Sequence, residues 1–127
     1  MDGENKYENN EGVKVVANKQ ILFWSLPELL IVSIKRFSNS VKKNQCLVTF
    51  PLADLDMSKY VVGYDKESYI YDLYGVCNHS GGVFGGHYTA SIKNANGKWY
   101  SFNDATVQQI ADESKLISPQ AYCFFYR

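Results

Sequence analysis

The sequence is poor in the features that place a protein most quickly. Among 127 residues there are three cysteines, three prolines and two methionines. Cys46, Cys77 and Cys123 are widely spaced and odd in number, which argues against the dense disulfide framework of a small secreted domain. They point to a reducing, intracellular compartment, cytoplasmic or nuclear. Neither sign of charge is in excess, since 13 Lys and Arg balance 13 Asp and Glu. That argues against a nucleic-acid or membrane-surface protein held by a basic patch. No apolar run approaches the roughly 20 residues of a membrane span. The longest, residues 29–34, is interrupted by Ser33 and closed by Lys35 and Arg36. The opening Met1-Asp2-Gly3-Glu4-Asn5 has no secretory-signal pattern. Internal repeats and low-complexity tracts are missing as well.

What is present is aromatic. Ten Tyr and seven Phe favour strands over helices, and the chain is long enough for one domain with its own core. Residues 1–12 are polar and read as a frayed or extended arm. Strands are expected over 13–16, 20–25, 69–77, 87–93, 98–103 and 121–127, with a brief extended piece over 47–52. Residues 29–37 (LLIVSIKRF) are expected to form a central strand covered on both faces. Short helical turns are expected within 54–60 and 111–117. Residues 78–86 (NHSGGVFGG) hold four glycines and read as a mobile loop. The sum is an α+β fold, mostly antiparallel, with few and short helices.

One local geometry carries chemistry. Asn94-Ala95-Asn96-Gly97 is a hairpin signal between two strands. A four-residue turn sets His87 opposite Asp104, and a one-residue change of register sets it opposite Asn103. Opposed Cβ atoms lie roughly 4.5–5.5 Å apart, within reach of a hydrogen bond between imidazole and amide or carboxylate. A histidine oriented in this way is two-thirds of a nucleophile–His–Asn/Asp triad. The spacing is equally that of an ordinary strand-end histidine.

Gly85-Gly86-His87-Tyr88-Thr89-Ala90 followed by Trp99-Tyr100-Ser101-Phe102-Asn103-Asp104 resembles the histidine box of the ubiquitin-specific proteases, the papain-like cysteine deubiquitinases. Further segments resemble the same family in the same order. Trp24-Ser25-Leu26-Pro27 leads to Lys35-Arg36-Phe37, and Phe50-Pro51-Leu52 to Leu55-Asp56. Tyr71-Asp72-Leu73-Tyr74-Gly75-Val76 leads to Asn78-His79-Ser80-Gly81, and Ala121-Tyr122 to Phe125-Tyr126.

The resemblance implies that residues 1–127 are the C-terminal portion of such a catalytic domain, the palm with the returning end of the fingers. It implies His87 as general base, Asn103 as third triad member, and Asp104 as its acidic neighbour. Asn78, His79, Ser80, Gly81, Gly82, Gly85, Gly86 and Tyr88 would line the cleft for ubiquitin's C-terminal tail. The partners implied are ubiquitin or a ubiquitinated protein, and the upstream half of the domain. The nucleophilic cysteine belongs to that upstream half, so this chain alone is expected to be inactive. The rival expectation is an inactive ubiquitin- or partner-binding module. No cofactor is expected. Nor is zinc, because Asn9 and Gly12 stand where many members carry a zinc-binding cysteine pair.

Overall fold

The computed structural model describes residues 4, 6–37, 41–64 and 68–127. Its main feature is a six-stranded antiparallel sheet ordered β3-β10-β6-β7-β8-β9. The strands are β3 (Leu30–Ser33), β6 (Leu73–Gly82), β7 (Gly85–Lys93), β8 (Trp99–Asn103), β9 (Thr106–Ile110) and β10 (Ala121–Tyr126). Two small ribbons flank it. One pairs β1 (Tyr7–Glu8) with β2 (Lys14–Val15), and the other pairs β4 (Leu55–Asp56) with β5 (Ile70–Tyr71). Helix among the described residues is confined to short 3₁₀ turns, among them Ser58–Tyr60 and Glu113–Leu116.

The period-2 alternation of strands sorts the side chains. Register places Val76, Phe124 and Ser91 on one face of the sheet, continued by Ser101 and Trp99. Trp99, Val76, Phe124, Leu73, Tyr126 and Leu116 are buried there, so this is the core face. Phe50 stacks on Phe124 with ring centroids 4.2 Å apart, although residues 47–52 form no strand. The other face carries Gly75, Cys77, Ala90, Ile92 and Phe125, which line an open groove of about 380 Å³.

Several expectations are corrected. Residues 29–37 do not form a central strand. Only Leu30–Ser33 is extended, at the sheet edge, with Ile31 61% exposed. An apolar β-branched run marks a strand but does not say which neighbours cover it. Residues 78–86 are not a loop. β6 runs through to Gly82, β7 starts at Gly85, and only Val83-Phe84 turns between them. Glycine content argued for a loop, yet each of these glycines faces a backbone that leaves little room for a side chain or closes the turn. Gly81 takes φ +115, and a Cβ there would sit 2.6 Å from Gly86 Cα.

The second hairpin pairs one residue further along β8 than either register considered. Lys93 pairs with Trp99, Asn94 N–H donates to the Lys98 carbonyl, and Gly97 takes φ +76. β9 was not anticipated; Gln108 and Gln109 hide its strand character in a polar, exposed edge. Residues 20–25 contribute only a bridge from Phe23 to Val61. The polar arm doubles back as the first ribbon. Asn9 Oδ1 accepts from the N–H groups of Glu11 and Val13 at its turn. Parts of the arm and of the polar segments 38–45 and 61–68 lie outside the described residues.

Candidate active site

β7 and β8 place His87 and Asn103. Thr89 and Ser91 share the core face, and alternation puts His87 on that face too. On β8 the same face carries Ser101 and Asn103. The ladder between the two strands ends at Ala90 and Phe102, and beyond it the side chains close the gap. His87 Nε2 lies 2.6 Å from Asn103 Oδ1. An amide oxygen only accepts, so Nε2 carries the proton and donates it. Nδ1 is then the ring's lone-pair nitrogen, in the plane of the imidazole and free to take a proton.

Asp104 is placed differently. It occupies the turn after β8 with φ +48, a left-handed conformation that Asp tolerates. Its carboxylate is 3.9 Å from His87 Nε2, and the side chains are 51% and 83% exposed for His87 and Asp104. At that distance and exposure it is a weak, screened neighbour and not a hydrogen-bond partner. The observed register, by putting residues 87 and 103 on one face, selects the amide.

The other residues expected at the site divide by face. Asn78 and Ser80 share the side of His87, because Ser80 is its direct partner across β6 and β7. Asn78 Oδ1 is buried there with no hydrogen-bond partner among the described residues. Tyr88 and His79 are opposed to each other on the far face. Gly81, Gly82, Gly85 and Gly86 form the end of the hairpin. His79 lies on β6 and not in a loop. It is 4% exposed, and burial, then the neighbouring Lys43 ammonium, holds its pKa below the ordinary imidazole value.

Sequence reasoning passed over Phe84, at the tip of this hairpin and 93% exposed. An isolated aromatic between glycines was its only signal. By sequence Lys35-Arg36 is an ordinary solvated strand end; the structure leaves Lys35 exposed and buries Arg36. Arg36 is 2% exposed and donates to three backbone carbonyls: Ala121 at 2.8 Å, Asn44 at 3.0 Å and Cys46 at 2.9 Å.

The cysteines stand apart from His87. Cys77 and Cys123 are direct partners in the ladder of β6 and β10, on the face opposite the imidazole. Burial, and then its proximity to Cys123, pushes the Cys77 thiol up from its ordinary pKa, away from the thiolate a nucleophile needs. Cys46 is exposed in the irregular segment before β4. Among the described residues no group of three or more His, Cys, Asp or Glu side chains could hold a metal ion. Nor is any helix among them long and apolar enough to cross a membrane.

An imidazole held by an amide at 2.6 Å on an antiparallel sheet is the geometry that a base and its orienting group take in a nucleophilic hydrolase centre. The comparisons narrow that class. The ubiquitin carboxyl-terminal hydrolase family profile matches residues 4–126. Ubiquitin carboxyl-terminal hydrolase 12 of Saccharomyces cerevisiae is 47% identical over 115 residues, 87% of this chain and 9% of that protein. Ubiquitin carboxyl-terminal hydrolase 15 of Homo sapiens is 45% identical over 115 residues, 87% of this chain and 12% of that protein. Among solved structures, the SAGA Ubp8/Sgf11/Sus1/Sgf73 DUB module bound to ubiquitin aldehyde matches with a TM-score of 0.78 and 34% identity, over 98% of this chain and 30% of that chain. The chain belongs to the ubiquitin carboxyl-terminal hydrolase family. It spans about one-tenth of the length of these curated relatives.

Proposed function

We propose that residues 1–127 are the C-terminal portion of a cysteine-type ubiquitin carboxyl-terminal hydrolase domain and supply its base and orienting group. The observation that carries this reading is the 2.6 Å contact of His87 Nε2 with Asn103 Oδ1 in a chain of this family. Nδ1 of His87 takes the proton of a cysteine thiol contributed by the upstream half of the domain. Cys77 and Cys123, on the wrong face, are not that thiol. The thiolate attacks the carbonyl of ubiquitin's last glycine, and the imidazolium protonates the leaving amine. Water then releases the acyl-enzyme, with His87 again as base. Asn103 holds the ring throughout. An amide suffices because the thiol–imidazole pair can rest as thiolate and imidazolium.

Substrate is ubiquitin or a ubiquitinated protein. Its Gly-Gly tail, without side chains, lies beside the β6–β7 hairpin along Asn78, Ser80, Gly81, Gly82, Gly85 and Gly86, with Tyr88 at the rim. A ubiquitin-bound relative of this fold supports the assignment. Three free cysteines support an intracellular setting, cytoplasmic or nuclear.

The test is hydrolysis of a ubiquitin-amide substrate by the complete domain. His87→Ala abolishes turnover. Asn103→Ala lowers kcat about 10- to 100-fold, the worth of about 1.5–3 kcal/mol for a hydrogen bond to a charged imidazolium. Asp104→Asn changes kcat less than about threefold. Unchanged hydrolysis by His87→Ala refutes the assignment. Ubiquitin binding without labelling by a ubiquitin electrophile favours the rival reading, an inactive ubiquitin-binding module.

A further inference from the structure

The end of β7 that bears His87 is braced unevenly. The ladder to β8 stops at Ala90, so residues 85–89 are paired only with β6. What holds them from below is a side chain. His79 lies on the face opposite His87, its ring enclosed by Phe37, Tyr88 and Tyr122 at centroid distances of 5.9, 4.6 and 5.7 Å. Its backbone is fixed at both ends. Its N–H donates to the Gln120 carbonyl at 2.9 Å, and its carbonyl accepts from Lys43 Nζ. Nδ1 has no hydrogen-bond partner among the described residues.

The ring's far edge meets β7 itself. A Cβ on Gly86 would collide with His79 Nε2 and stand 3.1 Å from Cδ2. The ring of Tyr88 lies tilted 39° to that of His79. Gly86 and Tyr88 are the two chain neighbours of His87, so the ring touches β7 on either side of it.

We infer that His79 is a positioning residue for His87: its buried ring seats Gly86 and Tyr88 and so sets the pitch of β7 that brings His87 Nε2 onto Asn103 Oδ1. This rests on the reading of His87 as general base. Glycine at position 86 is required by this ring and equally by the Ser80 carbonyl oxygen, 2.5 Å from where a Cβ would stand. A misplacement of about 1 Å at a catalytic group can cost about 100-fold in rate.

The experiment is a double-mutant cycle on kcat in the complete domain, with active sites titrated. His79→Ala lowers kcat about 10- to 100-fold with KM changed less than threefold. In an Asn103→Ala background, where the oriented bond is already gone, His79→Ala costs less than a further threefold. A ring that acts on turnover independently of the His87–Asn103 bond would give equal losses in both backgrounds, and that result overturns the inference. So does a titrated kcat within twofold of wild type. Tyr88→Ala removes the other half of the seat at a 57% exposed side chain and serves where His79→Ala does not fold. It must show the same non-additivity with Asn103→Ala, and additive losses overturn the inference. His87→Ala is run alongside. Full activity in that variant sinks the base assignment itself, whereas an inactive His87→Ala with an additive cycle sinks only the role of His79.

Discussion

Arg36 gives the sharpest stability prediction, because the sequence and the structure disagree about it. A solvated strand-end arginine is worth almost nothing when removed, and exposed substitutions usually fall within about 0.5 kcal/mol. The structure instead puts a 2% exposed guanidinium across three carbonyls, on β10 and on the segment before β4. Arg36→Ala strips the carbonyl of Ala121, a residue with 0% exposure, of a charged donor that water cannot replace. That costs about 1–3 kcal/mol. The carbonyls of Asn44 and Cys46 are nearer solvent and rehydrate, at about 0.5–1 kcal/mol each. Loss of the buried aliphatic stem adds about 1 kcal/mol. The expected total is about 3–6 kcal/mol, a fall in Tm of about 10–25 °C for a domain of this size. Arg36→Lys recovers part of it, since one ammonium cannot span the guanidinium's fork of acceptors. The assay is urea unfolding of the full chain followed by fluorescence, with the buried Trp99 as a reporter. A loss below about 0.5 kcal/mol for Arg36→Ala would refute the reasoning.

His79 predicts an acid-sensitive fold. Its folded pKa lies below the ordinary 6.5 because of burial and then Lys43. The stability tied to its neutral ring is therefore full above about pH 6.5 and drains as pH falls toward the folded value. Urea midpoints measured between pH 7.5 and 5 should fall in the wild type and flatten in His79→Gln; equal slopes would show that His79 is not the group responsible. Asp56 and Asp112, held below 3.8 chiefly by the hydroxyls of Ser58 and Ser114, act only at lower pH and leave that window clear. Cys77 and Cys123 are direct cross-strand partners, so diamide should join tryptic residues 67–93 to 116–127 and leave 44–59, with Cys46, unlinked to either. A link from Cys46 to either of them in the monomer would contradict the register of β6 and β10.

Strand content was largely legible, because Tyr, Phe and β-branched residues alternate where β6, β7, β8 and β10 run. Neighbours were not. Ile31 and Val32 mark an extended segment equally well at an edge or in the middle of a sheet, and only pairing with β10 alone reveals the edge. Residues 78–86 failed for a related reason. Two of their four glycines answer to steric demands made across the hairpin, by Gly86 Cα on Gly81 and by His79 and the Ser80 carbonyl on Gly86. Such demands arise from tertiary contacts and leave no periodicity in the sequence. Arg36 likewise looks like surface until the carbonyls that solvate it are in place.

The candidate site shows what kind of information was missing. A hairpin turn near residue 95 brings a histidine near 87 close to an amide or carboxylate near 103 in any nearby register, so the encounter was robust to error. Its partner was not, because shifting a register by one residue moves a side chain to the other face. The observed Lys93–Trp99 pairing would set Ala105, not Asn103 or Asp104, straight across from His87. Asn103, two positions away on the same face, is the diagonal neighbour that a long side chain reaches. Asp104 has the opposite parity and comes within 3.9 Å only because the chain turns there at positive φ. The choice of amide over carboxylate is thus made by the three-residue turn ending in Gly97. The hydrogen-bond partner of His87 therefore depends on a turn at the far end of its own strand.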